Sequence, residues 1–90
     1  MIFKDYYKIL GLENSRVTVP EIKSAYREQA KIYHPDVNAQ NSFSEERFKD
    51  INEAYRILSN SSSRRKYDRM WNNYVTKKAI KYEENKNTSG

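Results

Sequence analysis

The sequence contains no cysteine, a single histidine, two glycines and two prolines. Without cysteine there are no disulfides, no thiol nucleophile and no thiolate metal site. One histidine is too few for a His-rich metal centre, and two glycines are too few for a glycine-rich phosphate-binding loop. Long apolar runs are also missing, and nothing approaches the length of a membrane span. The opening residues, Met1-Ile2-Phe3-Lys4-Asp5, meet charge at once, so no signal peptide is expected. These absences predict a soluble, cytoplasmic chain with no cofactor and no catalytic apparatus of its own.

Charged residues make up 32% of the chain and hydrophobic ones 37%, a composition suited to a thin helical domain with much exposed surface. Ninety residues make one small domain, whose single core stabilises by only a few kcal/mol. Eight tyrosines supply much of the area available for burial, because a tyrosine can pack its ring while its hydroxyl stays wet. The net charge of +5 suits an acidic protein, a nucleic acid or an anionic membrane equally.

Local signals divide the chain into helices. Asp5 is placed to cap a short helix through Leu10, and Gly11 to take the left-handed geometry that ends it. After a polar connector, Thr18-Val19-Pro20-Glu21 reads as a capping box with proline in the first turn. Ile22, Ala25, Tyr26, Gln29 and Tyr33 then fall on one side of a helix, with Gln29 a polar misfit near the middle of the stripe. Pro35 lacks a backbone donor and disfavours helical geometry at His34, so this helix stops there. Ser42 and Glu45 read as a second capping box, opening a helix whose seam is Phe48, Ile51, Tyr55 and Leu58, with Ala54 beside it. Two such stripes predict an antiparallel hairpin over about 18–33 and 42–59, with the His34–Asn41 connection at one end. Asn60–Ser63 reads as a turn and Arg64 as the start of a basic fourth helix. Tyr67, Trp71, Tyr74, Val75 and Lys78 share a face that would carry this helix past Trp71, while the polar stretch from Glu83 to Gly90 is expected to be disordered.

Several blocks stand in a recognisable order: Asp5-Tyr6-Tyr7-Lys8-Ile9-Leu10-Gly11-Leu12, Glu21 to Arg27, Tyr33-His34-Pro35-Asp36, Phe48 to Tyr55, Leu58-Ser59 and Arg64-Arg65-Lys66-Tyr67-Asp68. In order and spacing they resemble the J domain of the DnaJ co-chaperone family, from about Asp5 to Asp68. The resemblance implies an all-α, four-helix domain over about 1–70, with 71–90 left as a helix extension followed by a tail or linker. It implies a module that binds a DnaK-type heat-shock chaperone in its ATP-bound state and stimulates ATP hydrolysis through His34, Pro35 and Asp36. Lys23, Arg27 and Lys31, spaced four apart on the second helix, are the implied docking stripe. Tyr26, Asn38, Lys49 and Arg64 match family positions near that surface or supporting the loop. Ser24 and Glu28 interrupt the basic character of the stripe, and Val37 stands where relatives often have Arg. Phe48, Tyr55 and Tyr7 read as core. The glycine/phenylalanine-rich linker, zinc-binding repeats and client-binding β domains of many relatives are not in this sequence. It therefore reads either as a J-domain-only protein or as the N-terminal domain of a longer one, with clients met only by regions outside this chain.

Two other classes fit less well. A helix-turn-helix joins its helices by a tight turn of about three or four residues, whereas the connection here runs from His34 to about Asn41 and begins with a proline. Nucleic acid is therefore not the expected principal partner, although basic residues between Arg64 and Lys81 are available for a secondary contact. An enzyme using His34 as general base would lack a nucleophile.

Overall fold

The computed structural model describes the backbone of residues 3–88 and the side chains of residues 3–77. It is all-α: α1 (Tyr6–Ile9), α2 (Val19–Tyr33), α3 (Ser42–Leu58) and α4 (Ser61–Thr88). The first two starts follow the local signals. The Asp5 carboxylate accepts from the Lys8 amide, and Gly11 at φ 81° ends the first turn. Thr18 and Glu21 make the reciprocal capping box.

The other two starts differ from expectation. At α3 the cap is Asn41 and not Ser42: the Asn41 side chain accepts from the Ser44 amide at 3.1 Å. Ser44 is buried, so its amide needs a protein partner, and a cap one residue earlier supplies it. At α4 the helix begins at Ser61, three residues before Arg64. The Asn60 side chain accepts from the Ser62 and Ser63 amides, and the Ser63 hydroxyl donates 2.7 Å to the Ile57 carbonyl near the end of α3. Residues read as a turn thus close one helix and open the next. The stretch from Glu83, expected to be disordered, has helical backbone as far as Thr88. No proline or glycine interrupts it there.

The α2/α3 hairpin is antiparallel, as the two stripes predict, and its fully buried side chains are Ile22 from α2 and Ile51, Ala54 and Leu58 from α3. Tyr7 and Leu10 of the α1 segment complete the centre. The fourth side of this core is aromatic. Tyr67 and Trp71 are buried against α1, with the Tyr7 and Trp71 rings edge to face at 5.6 Å. Each aromatic also uses its polar tip: Tyr67 donates 2.6 Å to the Lys4 carbonyl, and Trp71 donates 3.0 Å to the Asp5 carboxylate that caps α1. Phe3 stacks on Tyr74 at 4.5 Å. The chain start is therefore fastened along α4 past Asp68, the last residue of the sequence resemblance. Burial is the main cause that pushes the Tyr7 phenol up to about 12, so at neutral pH it stays a donor, to Asp68.

Gln29 corrects the sequence reading. It is half-buried, like Ala25, Tyr26 and Tyr33 of the same stripe, with its amide nitrogen 3.1 Å from where a side chain on Gly11 would begin. It covers the end of α1 and does not sit mid-core. Gln29→Leu is therefore expected to stabilise by about 1 kcal/mol, less than the roughly 1.5–3 kcal/mol for full burial of such a side chain because the position is only half-buried. For a domain of this size that raises Tm by roughly 4–8 °C. A thermal melt at or below the parent's would show that the amide contributes more than its replacement.

Candidate functional site

At the C-terminal end of α2, His34 leaves helical geometry for an extended conformation, φ −61° and ψ 138°. Pro35 forces this exit, and the chain then winds through overlapping turns, Val37 N–H to the His34 carbonyl at 3.1 Å and Asn38 N–H to the Pro35 carbonyl at 3.3 Å. Asn38 locks the arrangement from inside. Its amide donates to the Ile32 carbonyl at 2.8 Å and the His34 carbonyl at 3.1 Å, satisfying the open end of α2. Pro35, itself exposed, and the half-buried Asn38 line a surface pocket together with Tyr33, Asn41 and Ser44.

His34 and Asp36 face outward together. The Asp36 amide donates 3.1 Å to His34 Nδ1, which is therefore an acceptor. The ring rests edge to face on Phe48 of α3, 5.5 Å between centroids. Phe48, read as core, is half-buried and serves as the support of this ring. Held this way, Asp36 has its backbone donor satisfied and its side chain 89% exposed. Its carboxylate lies 3.6 Å from His34 Nδ1 and makes no ion pair with a lysine or arginine among the described residues.

A shallow groove along α2 leads to this carboxylate, lined by Tyr26, Arg27, Ala30, Lys31, His34, Asp36 and Val37. Tyr26 is fixed from behind: its ring stacks on Tyr55 at 4.3 Å and its hydroxyl donates 2.8 Å to Asn52. Arg27 and Lys31 are exposed along the groove, and Lys23 continues the stripe one turn earlier. The structure thus brings together Tyr26, Arg27, Lys31, His34 and Asp36. Lys49 stands outside the groove, exposed on α3 and 3.7 Å from Glu45 one turn earlier.

Arg64 does not join this surface. It lies at the other end of the hairpin, where the start of α2 meets the end of α3. Its side chain is only 17% exposed and is spent inside the fold. It donates to the carbonyls of Ser15 at 3.2 Å and Val17 at 2.6 Å and to the Tyr7 hydroxyl at 3.2 Å, and pairs with Asp68 at 3.6 Å. Sequence reasoning had placed it near the docking surface or in support of the loop. It missed Ala30 and Val37 as groove residues; an apolar Val37 between Asp36 and Asn38 was the available signal, and the structure leaves it 70% exposed. Among the described residues no group of His, Asp or Glu could hold a metal ion, and no helix is long and apolar enough to cross a membrane.

The DnaJ domain family model matches residues 5–68. The chain belongs to the DnaJ domain family. The chaperone protein DnaJ of Caldicellulosiruptor saccharolyticus is 58% identical over 65 residues, 72% of this chain and 16% of that protein. Chaperone protein DnaJ of Hydrogenobacter thermophilus is 54% identical over 70 residues, 78% of this chain and 19% of that protein. The DnaJ homolog subfamily C member 7 homolog of Schizosaccharomyces pombe is 54% identical over 65 residues, 72% of this chain and 13% of that protein. The chain thus spans less than a fifth of the length of these relatives. What they share with it is the J domain, and Trp71, buried against α1, lies beyond the segment matched by the family model.

Proposed function

We propose that this J domain docks on the ATP-bound form of a DnaK-type heat-shock chaperone and accelerates its ATP hydrolysis, so assisting protein folding. The observation that carries this reading is the Asp36 carboxylate, offered to solvent by a loop whose neighbouring polar groups are bonded internally. An ionised acceptor held in one orientation suits a bidentate contact from a partner arginine. His34 acts through Asp36, by accepting the amide that orients it, and Pro35 and Asn38 hold the turn. The J domain contributes no reacting group. It acts by binding the hydrolysing conformation of the partner more tightly than the other, which shifts the partner's population.

Lys23, Arg27 and Lys31 steer the approach. An exposed stripe of this kind changes the association rate and orientation more than the final affinity. Glu28, exposed on the same helix, weakens the field. Single-turnover ATP hydrolysis by a DnaK-type chaperone, with and without this chain, tests the reading. Stimulation is expected to need more J domain as salt shortens the Debye length from about 30 Å at 0.01 M to about 8 Å at 0.15 M. Arg27→Glu is expected to slow association more than it speeds dissociation. Equal stimulation across the salt series, with parental association for the variant, would make the stripe an ordinary solvated face. No stimulation at any salt would remove the proposed function.

A further inference from the structure

The surplus of positive charge is confined to one element. Residues 1–60 carry nine basic and nine acidic side chains, whereas Ser61–Gly90 carry eight basic against three acidic. The whole net charge of +5 therefore belongs to α4.

On that helix the charge is also sorted by side. Tyr67 and Trp71 mark the buried face, and Arg64 is turned into the fold beside them. At 3.6 residues per turn, the opposite face is formed by Ser62, Arg65, Arg69, Asn73 and Thr76, with Asn72 at one margin and Lys66 and Lys77 at the other. All of these are exposed. The one carboxylate between Ser62 and Lys77 is Asp68, which accepts from the Tyr7 hydroxyl and pairs with Arg64 on the inner side. Arg65, Lys66, Arg69 and Lys77 have no acidic partner among the described residues. At its N-terminal end this face is continuous with a polar depression shared by Arg56 of α3 and Lys66, with Asn60 and Ser62 between them. From Ser62 to Lys77 the strip is about 22 Å long.

We propose that the outer face of α4 is a nucleic-acid-binding surface that takes the sugar-phosphate backbone without reading sequence. Its side chains, Arg and Lys interleaved with Ser, Thr and Asn, are the types that reach phosphate oxygens. A membrane surface fits poorly, since an interfacial helix needs an apolar face to insert. Of the exposed apolar side chains of α4, Tyr74 and Val75 lie toward its inner side, and Met70 stands alone on the flank beside Lys77. The proposal uses residues other than those of the groove and stands independently of the chaperone reading.

Fluorescence anisotropy with the full chain tests it, using a labelled RNA duplex, the same duplex as DNA, and a poly-uridine strand. Binding to at least one is expected, with log K against log salt falling at a slope of about −4 if Arg56, Arg65, Lys66, Arg69 and Lys77 each neutralise a phosphate. Arg65→Gln combined with Arg69→Gln lies on the solvent face, so its circular dichroism should be unchanged. It is expected to flatten the slope by about 2 and to weaken low-salt binding at least ~10-fold. Lys23→Gln combined with Lys31→Gln should bind as the parent. The proposal fails if none of the probes binds at low salt, if the α4 variant binds like the parent, or if the α2 variant is the one that loses binding. It fails equally if polyglutamate or phosphatidylserine vesicles bind as tightly, because the surface would then be a general polyanion or lipid contact.

Discussion

Asp36→Asn is expected to melt with the parent protein and to lose nearly all stimulation of single-turnover ATP hydrolysis by a DnaK-type chaperone. The fold uses this residue through its backbone, whose amide donates to His34 Nδ1, and asparagine keeps that amide. The 89%-exposed side chain makes no structural hydrogen bond that the substitution removes. A partner cation, by contrast, would meet a neutral amide in place of a carboxylate. Losing one member of a desolvated charge pair costs about 2–5 kcal/mol, roughly 30-fold or more in affinity. His34→Gln is expected to give a similar loss with the fold retained. Glutamine could offer an acceptor to the Asp36 amide but has no ring to rest on Phe48, so the loop would lose its fixed orientation. Normal stimulation by the Asp36→Asn variant would show that the carboxylate is not the contact. An unfolded variant would show that the residue builds the turn and does no more.

Arg64→Ala should do the opposite, lowering stability without touching the groove. Its guanidinium holds the connector before α2 through the Ser15 and Val17 carbonyls, and it neutralises Asp68 beside the buried Tyr7. Hydrogen bonds to a charged group contribute about 1.5–3 kcal/mol each. The net loss is expected to be about 3 kcal/mol, a fall in Tm of roughly 12 °C or more. Arg64→Lys should recover little, because one ammonium cannot reproduce the planar fork that reaches two carbonyls and a phenol together. At a temperature where the Ala variant remains folded, its maximal stimulation of the chaperone should match the parent's. A parental melt combined with lost stimulation would return Arg64 to the docking surface.

These two residues mark where sequence reasoning succeeds and where it stops. The turn after Tyr33 was legible because proline's missing donor and its effect on His34 act within the chain itself. The Asp5 cap, the Thr18–Glu21 box and the left-handed Gly11 were legible for the same reason: each is an interaction among residues a few positions apart. So was the hairpin, since the period of its apolar stripes fixes which faces must meet. The Arg27–Lys31 stripe ending at Asp36 follows from helical spacing alone.

What the sequence by itself determined, then, was where most of the helices lie, which faces of the hairpin meet and which residues stand at its turn. Tertiary structure decided the choices among locally equivalent residues. Asn41 and Ser42 are both good caps, and only the burial of Ser44 selects the first. Asn60 and four serines, Ser59 and Ser61 to Ser63, follow α3, and the tie from Ser63 to the Ile57 carbonyl goes with starting α4 at Ser61. Arg64 reads locally as another basic residue on a helix; its role depends on Tyr7, Ser15 and Val17, about fifty positions away. Gln29 lies on the stripe its spacing predicts, but only the placing of α1 sets its amide over Gly11 and leaves it half-buried. Trp71 became core only because Asp5 and Tyr7 meet it from the other end of the domain. Local backbone preferences act over a few residues and can be read along the chain, whereas burial and the partner of a long side chain depend on what folding brings alongside.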